Sequence, residues 1–315
     1  MTQLDLRFFG SVQVTVDGTT AVNFDYSKMQ ALLVYLVVEA HSLHRRDAVA
    51  ELLWPGKPDK VARNSLRQAL AKLRRAIHDG EAKPPFLLIA RDTIRFNPNS
   101  HYALDVDAFT AVFKSIRQHP HPQLTRCKPC IKQLEQAAAL YRGEFLAGFS
   151  LKDSAEFEEW LAVKRETYRR QAVEMYRDLA AYNEWRQAYE AALPFARHYA
   201  ALSPWQDAPQ QQLMRLLALN GQSSKALAQY ESYCHELQQE LDVEPGAETA
   251  VLYERIRSGL ITPPKRPLPP KLPLPRAPFI GRQTELSEIV RRLTHEPSCR
   301  LLTLAGICGT GKTRL

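Results

Sequence analysis

The first twenty residues alternate. Apolar side chains fall at Leu4, Leu6 and Phe8 and again at Val12, Val14 and Val16, with Asp17-Gly18 immediately after. Period two around an Asp-Gly pair predicts antiparallel strands joined by a tight turn. The period then lengthens. "SKMQALLVYLVVEA" is apolar at Leu32, Leu33, Leu36 and Val37, and "HRRDAVAELLWPG" at Val49, Leu52 and Leu53 ahead of a Pro-Gly stop. "DKVARNSLRQALAKLRRAIHDG" predicts a third helix that stops at Gly80. "FLLIARDTIRFNP" returns to two short strands about Arg91-Asp92, with Arg91 and Arg95 at outward-pointing positions. Sheet, three helices and terminal hairpin compose a winged helix-turn-helix over residues 1–100.

From "ALDVDAFTAVF" onward the pattern is helical, which defines a second domain over residues 105–260. "LAAYNEWRQAYEAALPFA" and "LLALNGQSSKALAQYESY" align at an offset of about 38 residues, the mark of stacked helix pairs of tetratricopeptide type. Trp160, Trp185 and Trp205 fall on helical spacing and are expected to pack between helices. Residues 261–278 then contain "TPPKRPLPPKLPLPRAP", eight prolines in seventeen residues. As polyproline II this is a semi-rigid spacer of about 50 Å. The expected fold is mainly α, with a small α+β winged helix at the front and the start of an α/β module behind the spacer.

That last module occupies residues 279–315. Behind the apolar run from Arg300 to Ala305, "GICGTGKT" has the GxxxxGK[ST] pattern. Gly306, Gly309 and Gly311 let backbone N–H groups turn toward phosphate oxygens, Lys312 adds a fixed positive charge, and the Thr313 hydroxyl suits Mg²⁺. ATP with Mg²⁺ is the implied ligand. A working site also needs a following helix and an acidic residue on a later strand. We therefore expect the 315 residues to be the front part of a longer chain and not an enzyme by themselves, hydrolysis being left to the longer chain.

Charge sharpens the reading of the winged helix. The formal +8 is local: residues 41–100 carry twelve Lys/Arg against six Asp/Glu, and residues 261–278 carry four basic residues and no acid. On a helical wheel, Leu66, Leu70, Leu73 and Ile77 share one side of the third helix, while Asn64, Gln68, Ala71 and Arg75 lie opposite. Asn and Gln pair bidentately with adenine, and Arg with guanine, at edges exposed in the major groove of DNA. Arg63, Arg67, Lys72 and Arg74 lie toward the flanks, where phosphates run. Arg91 and Arg95 on the hairpin complete a candidate interface for double-stranded DNA. The helix lacks the aromatic platform that single-stranded RNA requires.

Five cysteines do not make a disulfide framework in a chain of this length. "HPHPQLTRCKPC" nevertheless gathers His119, His121, Cys127 and Cys130 within twelve residues. The set reads as a Zn²⁺ site, as a polar loop with two free thiols, or as a redox pair. Cys234, Cys299 and Cys308 are isolated and are expected to pack. With 45% hydrophobic and 24% charged residues, no apolar run of membrane-spanning length and no signal-peptide pattern, a cytoplasmic protein without a membrane partner is expected.

The ordered runs "FTAVF", "LEQAAALYRGEFLAGF", "SAEFEEWLAVKRETY", "ALNGQSSKALAQYE" and "ELDVEPGAETAVLYERI" behind a winged helix resemble the bacterial transcriptional activator domain joined to an OmpR-type winged helix. This is the architecture of SARP-type regulators, and the resemblance covers nearly all of residues 1–260. "FIGRQTEL" followed by "GICGTGKT" looks like the opening of the STAND-type ATPase module that larger members carry. The resemblance implies an activator of transcription that contacts promoter repeats, with several copies side by side on the DNA, and recruits RNA polymerase under nucleotide control. The alternative is an interaction adaptor, in which the tetratricopeptide-like helices hold a peptide for a STAND signalling ATPase.

Overall fold

The computed structural model describes residues 2–21, 26–121, 123–261 and 283–295. It divides into two units, Met1–Pro263 and Pro264–Leu315. The first opens with β1 (Leu4–Arg7) paired antiparallel to β2 (Gln13–Val16), Leu6 opposite Val14. Asp17 and Gly18, at φ 50° and 78°, turn β2 into β3 (Thr19–Thr20). Two successive left-handed residues make the primed turn that matches strand twist, and Gly18 occupies its second place without strain.

Then come α1 (Ser27–Val38), β4 (His44–Arg45), α2 (Arg46–Leu53) and α3 (Asp59–Ala76), followed by β5 (Leu87–Ile89) and β6 (Thr93–Phe96). β4, β6 and β5 form a three-stranded sheet whose β5–β6 hairpin is the wing. β7 (Tyr102–Leu104) runs parallel to β1 and completes the first sheet, in the order β3-β2-β1-β7. The sheet of the winged helix thus takes its last strand from beyond residue 100.

The remainder of this unit is helical: α4 (Asp105–Gln118), a short 3-10 turn at Leu124–Arg126, α5 (Lys128–Leu140), α6 (Ala155–Trp185), α7 (Tyr189–Leu202), α8 (Asp207–Leu219), α9 (Ser223–Leu241) and α10 (Ala247–Arg257). The repeat is real, but its period is 34 residues rather than 38. Helix α6 closes on Gln187 at φ 59° and α8 on Gly221 at φ 76°, and the following helices begin at 189 and 223. The same terminal hydrogen bond recurs: Ala188 N–H to the Asn183 carbonyl at 2.9 Å, and Gln222 N–H to the Leu217 carbonyl at 2.8 Å. Ala192 and Ala226, equivalent at this period, are both fully buried. Glutamine in one left-handed slot and glycine in the other disguises the match in the sequence. Trp160 packs as expected, but Trp185 and Trp205 are about half exposed and do not.

One continuous core joins the winged helix to α4, α5 and α6, and a second core packs α7 to α10 against the end of α6. Phe9, from the end of the first strand, sits among Phe109 (4.9 Å), Tyr141 (4.9 Å) and Tyr168 (5.6 Å). The Asp105 carboxylate, at the first position of α4, accepts from the Phe8 and Phe9 amides at 2.9–3.0 Å and from the Arg142 guanidinium at 3.2 Å. Elsewhere Glu39 takes the Trp160 indole N–H at 2.9 Å and the Lys164 ammonium at 2.7 Å, and the Ser154 hydroxyl donates to the Leu52 carbonyl. The two sequence-defined domains are therefore packed as one body.

The tyrosines of this joint make its stability pH-dependent. Burial, with help from Tyr176 and Glu144, pushes Tyr141 up to about 12, and burial also raises Tyr168 and Tyr176. In the unfolded chain these phenols ionise near pH 10. The native state then holds protons that the unfolded state has released, so stability present below about pH 10 falls as pH rises toward about 12. The melting temperature is expected to drop steeply across that interval, with tyrosinate absorbance appearing together with unfolding. Full tyrosinate absorbance before any loss of helical circular dichroism would contradict the burial.

In the second unit the described element is α11 (Gln283–His295), on which Glu288 accepts from Arg291 and Arg292 at 2.7–2.9 Å. The proline-rich stretch from residue 262 to 278 and the loop residues Gly306, Gly309, Gly311, Lys312 and Thr313 lie outside the described residues.

Candidate nucleic-acid interface

Helix α3 buries Leu66, Leu70 and Leu73, with Ile77 at its end, against α1 and α2. Asn64, Arg67, Gln68, Ala71, Lys72 and Arg75 are exposed. The wheel drawn from sequence is the face seen in the fold. The helix stops earlier than Gly80. Ile77 caps it, His78 takes the left-handed position at φ 54°, and the Asp79 and His78 amides donate back to the Arg74 and Arg75 carbonyls at 2.9 and 3.2 Å. This Schellman closure costs a non-glycine residue some strain. It delivers Asp79, fully buried, to accept from the Leu87 amide at 3.0 Å and from the Arg74 guanidinium at 2.7 Å, which fixes the foot of the wing.

Each basic residue singled out in the sequence therefore has a distinct setting. Arg63 pairs with Asp47 on α2 at 2.7 Å, both half exposed, a contact worth little in water. Arg67 donates to the Asn64 side-chain oxygen at 2.6 Å, so guanidinium and amide stand side by side on one turn. Lys72 lies 5.7 Å over the Tyr26 ring. Gln68 and Arg75 project into solvent without a hydrogen-bond partner among the described residues. Arg74 is committed to Asp79. Arg91 is exposed at the tip of the wing, whereas Arg95 departs from expectation: it is half buried, and its Nε is enclosed without a partner among the described residues.

Two clefts border the exposed face of α3. One, of about 910 Å³, separates the first half of the helix from the wing tip and presents Arg46, Lys60, Arg63, Arg67 and Arg91 against Asp47, Asp59 and Asp92. The other, of about 560 Å³, lies between the last turns of α3 and the β2–β3 turn, with Lys72 and Arg75 on its helical wall. Arg46 was not legible as a site residue. It opens α2, and its guanidinium donates to the Ala90 and Arg91 carbonyls at 3.4–3.5 Å, so it holds the wing tip. Its charge gave a signal; its partners, some 45 residues away, did not.

A helix with a leucine side seated on two others, an exposed amide-guanidinium side and a basic hairpin beside it are the parts of a winged helix-turn-helix. Residues 104–257 match the family described as "Bacterial transcriptional activator domain". The chain is 22% identical over 262 residues to "Transcriptional regulatory protein MoaR1" of Mycobacterium tuberculosis (strain ATCC 25618 / H37Rv), covering 78% of this chain and 79% of that one. It shares its fold with the solved structure "Mycobacterium tuberculosis EmbR in complex with low affinity phosphopeptide", with a TM-score of 0.59 and 23% identity over 82% of this chain. The chain spans 66% of that protein's length. The family match and the curated relative support a transcriptional regulator. Among the described residues no helix is long and apolar enough to cross a membrane.

Proposed function

We propose that the protein is a sequence-specific, double-stranded-DNA-binding activator of transcription. The observation that carries the reading is the exposed row Asn64, Arg67, Gln68 and Arg75 on a helix whose opposite side is wholly buried. Seated in a major groove about 12 Å wide, α3 directs these tips at base edges, Arg67 moving from the phosphate flank expected of it to a place beside Asn64. The clefts on either side then receive the two sugar-phosphate backbones, Arg63 and Arg91 on the wing side and Lys72 on the other. Arg74 and Arg95 serve the foot of the wing and its sheet instead of reading DNA. By the resemblance to SARP-type regulators, several copies lie side by side on promoter repeats, and the helical repeats face RNA polymerase. In a longer chain, ATP with Mg²⁺ at Gly306, Gly309, Gly311, Lys312 and Thr313 biases that output.

Selection of bound genomic fragments with the intact chain at two salt concentrations tests the reading and supplies the operator. A defined motif is expected, with affinity falling about 10³-fold or more between 50 and 200 mM salt if six or more phosphates are neutralised. Retention of fragments without a common motif would leave only a nonspecific basic surface. No retention, with a protein captured through residues 105–257, would favour the adaptor.

A further inference from the structure

The loop between α4 and α5 carries a group of side chains that DNA recognition does not use. His119 caps the end of α4, and His121 follows two residues later. Cys127 is the N-cap of α5, and Cys130 lies in its first turn. The fold turns all four ligand atoms inward, so that they lie within 4.8 Å of one another. Cys127 Sγ is 3.4 Å from Cys130 Sγ and 3.6 Å from His119 Nδ1, while Cys130 Sγ is 3.2 Å from His119 Nδ1 and 3.8 Å from His121 Nδ1.

These separations are the edges of a coordination tetrahedron. With metal–sulfur bonds near 2.3 Å and metal–nitrogen bonds near 2.0–2.1 Å, ligand atoms around Zn²⁺ stand roughly 3.3–3.8 Å apart. We propose that His119 and His121, through Nδ1, and Cys127 and Cys130, through Sγ, form a closed structural Zn²⁺ site that clasps α4 to α5.

Three features favour zinc over the other readings of the same residues. A redox pair needs its two sulfurs and an accessible face; it does not need two imidazole nitrogens converging on them. A polar loop with free thiols gives no reason for four soft or borderline donors to meet at one point. The donor set also balances charge, since two thiolates and two neutral imidazoles cancel the 2+ of the ion, and an S₂N₂ tetrahedron selects Zn²⁺ over the harder divalent cations.

The site has structural work to do. The described residues between α4 and α5 bury little: Cys127 and Leu124 are half buried, and His119 is exposed. An ion would replace a hydrophobic core there as the reason for one conformation. Arg126, next to the first sulfur, lies 5.7 Å over the Trp185 ring at the end of α6. The clasp thereby also reaches the turn between α6 and α7, inside the first helix pair.

Elemental analysis of the intact chain, purified without chelator or affinity metal, is expected to return about one zinc per chain. Cys127→Ser and Cys130→Ser should each lose it, while Cys234→Ser, Cys299→Ser and Cys308→Ser keep it. Cobalt(II) added to the reduced, metal-free chain should give the visible bands of a tetrahedral site with thiolate charge transfer. This spectrum decides the matter even if the serine variants fail to fold. Chelation should lower the melting temperature without abolishing the helical circular dichroism of the remaining core. A metal-free chain that develops no cobalt bands would overturn the proposal, as would stoichiometric iron in place of zinc or zinc retained after both serine substitutions.

Discussion

Replacing Arg67 and Arg75 together with alanine is expected to abolish binding to the selected operator while leaving the fold intact. A well-placed guanidinium is worth about 1–3 kcal/mol of discrimination at a base edge, so removing two costs about 2–6 kcal/mol, or roughly 30-fold to 10⁴-fold in affinity. Neither side chain supports the core. Arg67 touches the Asn64 amide, Arg75 is free among the described residues, and both are exposed. Stability should therefore move by no more than about 0.5 kcal/mol. Arg67→Lys separates charge from geometry: an ammonium keeps the phosphate attraction but lacks the two-pronged fork, so it should not restore sequence preference if Arg67 reads a base. Fluorescence anisotropy on operator and scrambled duplexes, run beside thermal melts, checks both variants. Parent-like affinity in the double variant, with an unchanged melt, would remove α3 from the interface.

What could be read of this interface before the fold was known came from local periodicity. The leucine and amide sides of α3 follow from a 3.6-residue repeat with no long-range information, and Asp17-Gly18 announces its own turn. What could not be read depends on partners distant in sequence. Arg74 looks like another flank cation until Asp79 is seen to be buried against Leu87. Arg95 alternates outward on its strand, yet neighbouring groups close over its Nε. The tetratricopeptide period slipped because the left-handed position between paired helices holds Gln187 once and Gly221 once, so the strongest local punctuation is missing from the first copy. His119, His121, Cys127 and Cys130 were visible as a cluster of residue types, but spacing alone left three readings open. The convergence of four atoms is a tertiary fact, and the further inference rests on it.

The second large effect is expected at Asp105, far from any DNA contact. Its carboxylate is buried and takes the amides of Phe8, Phe9 and Val106 together with the Arg142 guanidinium. Asp105→Ala strands two buried N–H groups of the first strand and leaves Arg142 without its counter-charge. Arg142, about one-third exposed, can turn to water, so the loss lies mainly in the stranded amides, at about 1–3 kcal/mol each. Asp105→Asn keeps one acceptor oxygen and should lose less. The loss is also directed, because Asp105 holds the strand end that carries Phe9 into the aromatic group of α4 and α6. In the parent the winged helix and α6 share one core, and a second core packs α7 to α10; with Asp105 in place the two are expected to unfold in urea as a single transition. The alanine variant should lose hydrogen-exchange protection over residues 4–16 before residues 179–219 open. If both segments opened together in the variant as well, the winged helix and the repeats would be cooperative without this carboxylate. Separate opening would instead identify Asp105 as the fixture through which the helical repeats set the position of α3, and so as the mechanical link between anything bound to the repeats and the DNA beneath the helix.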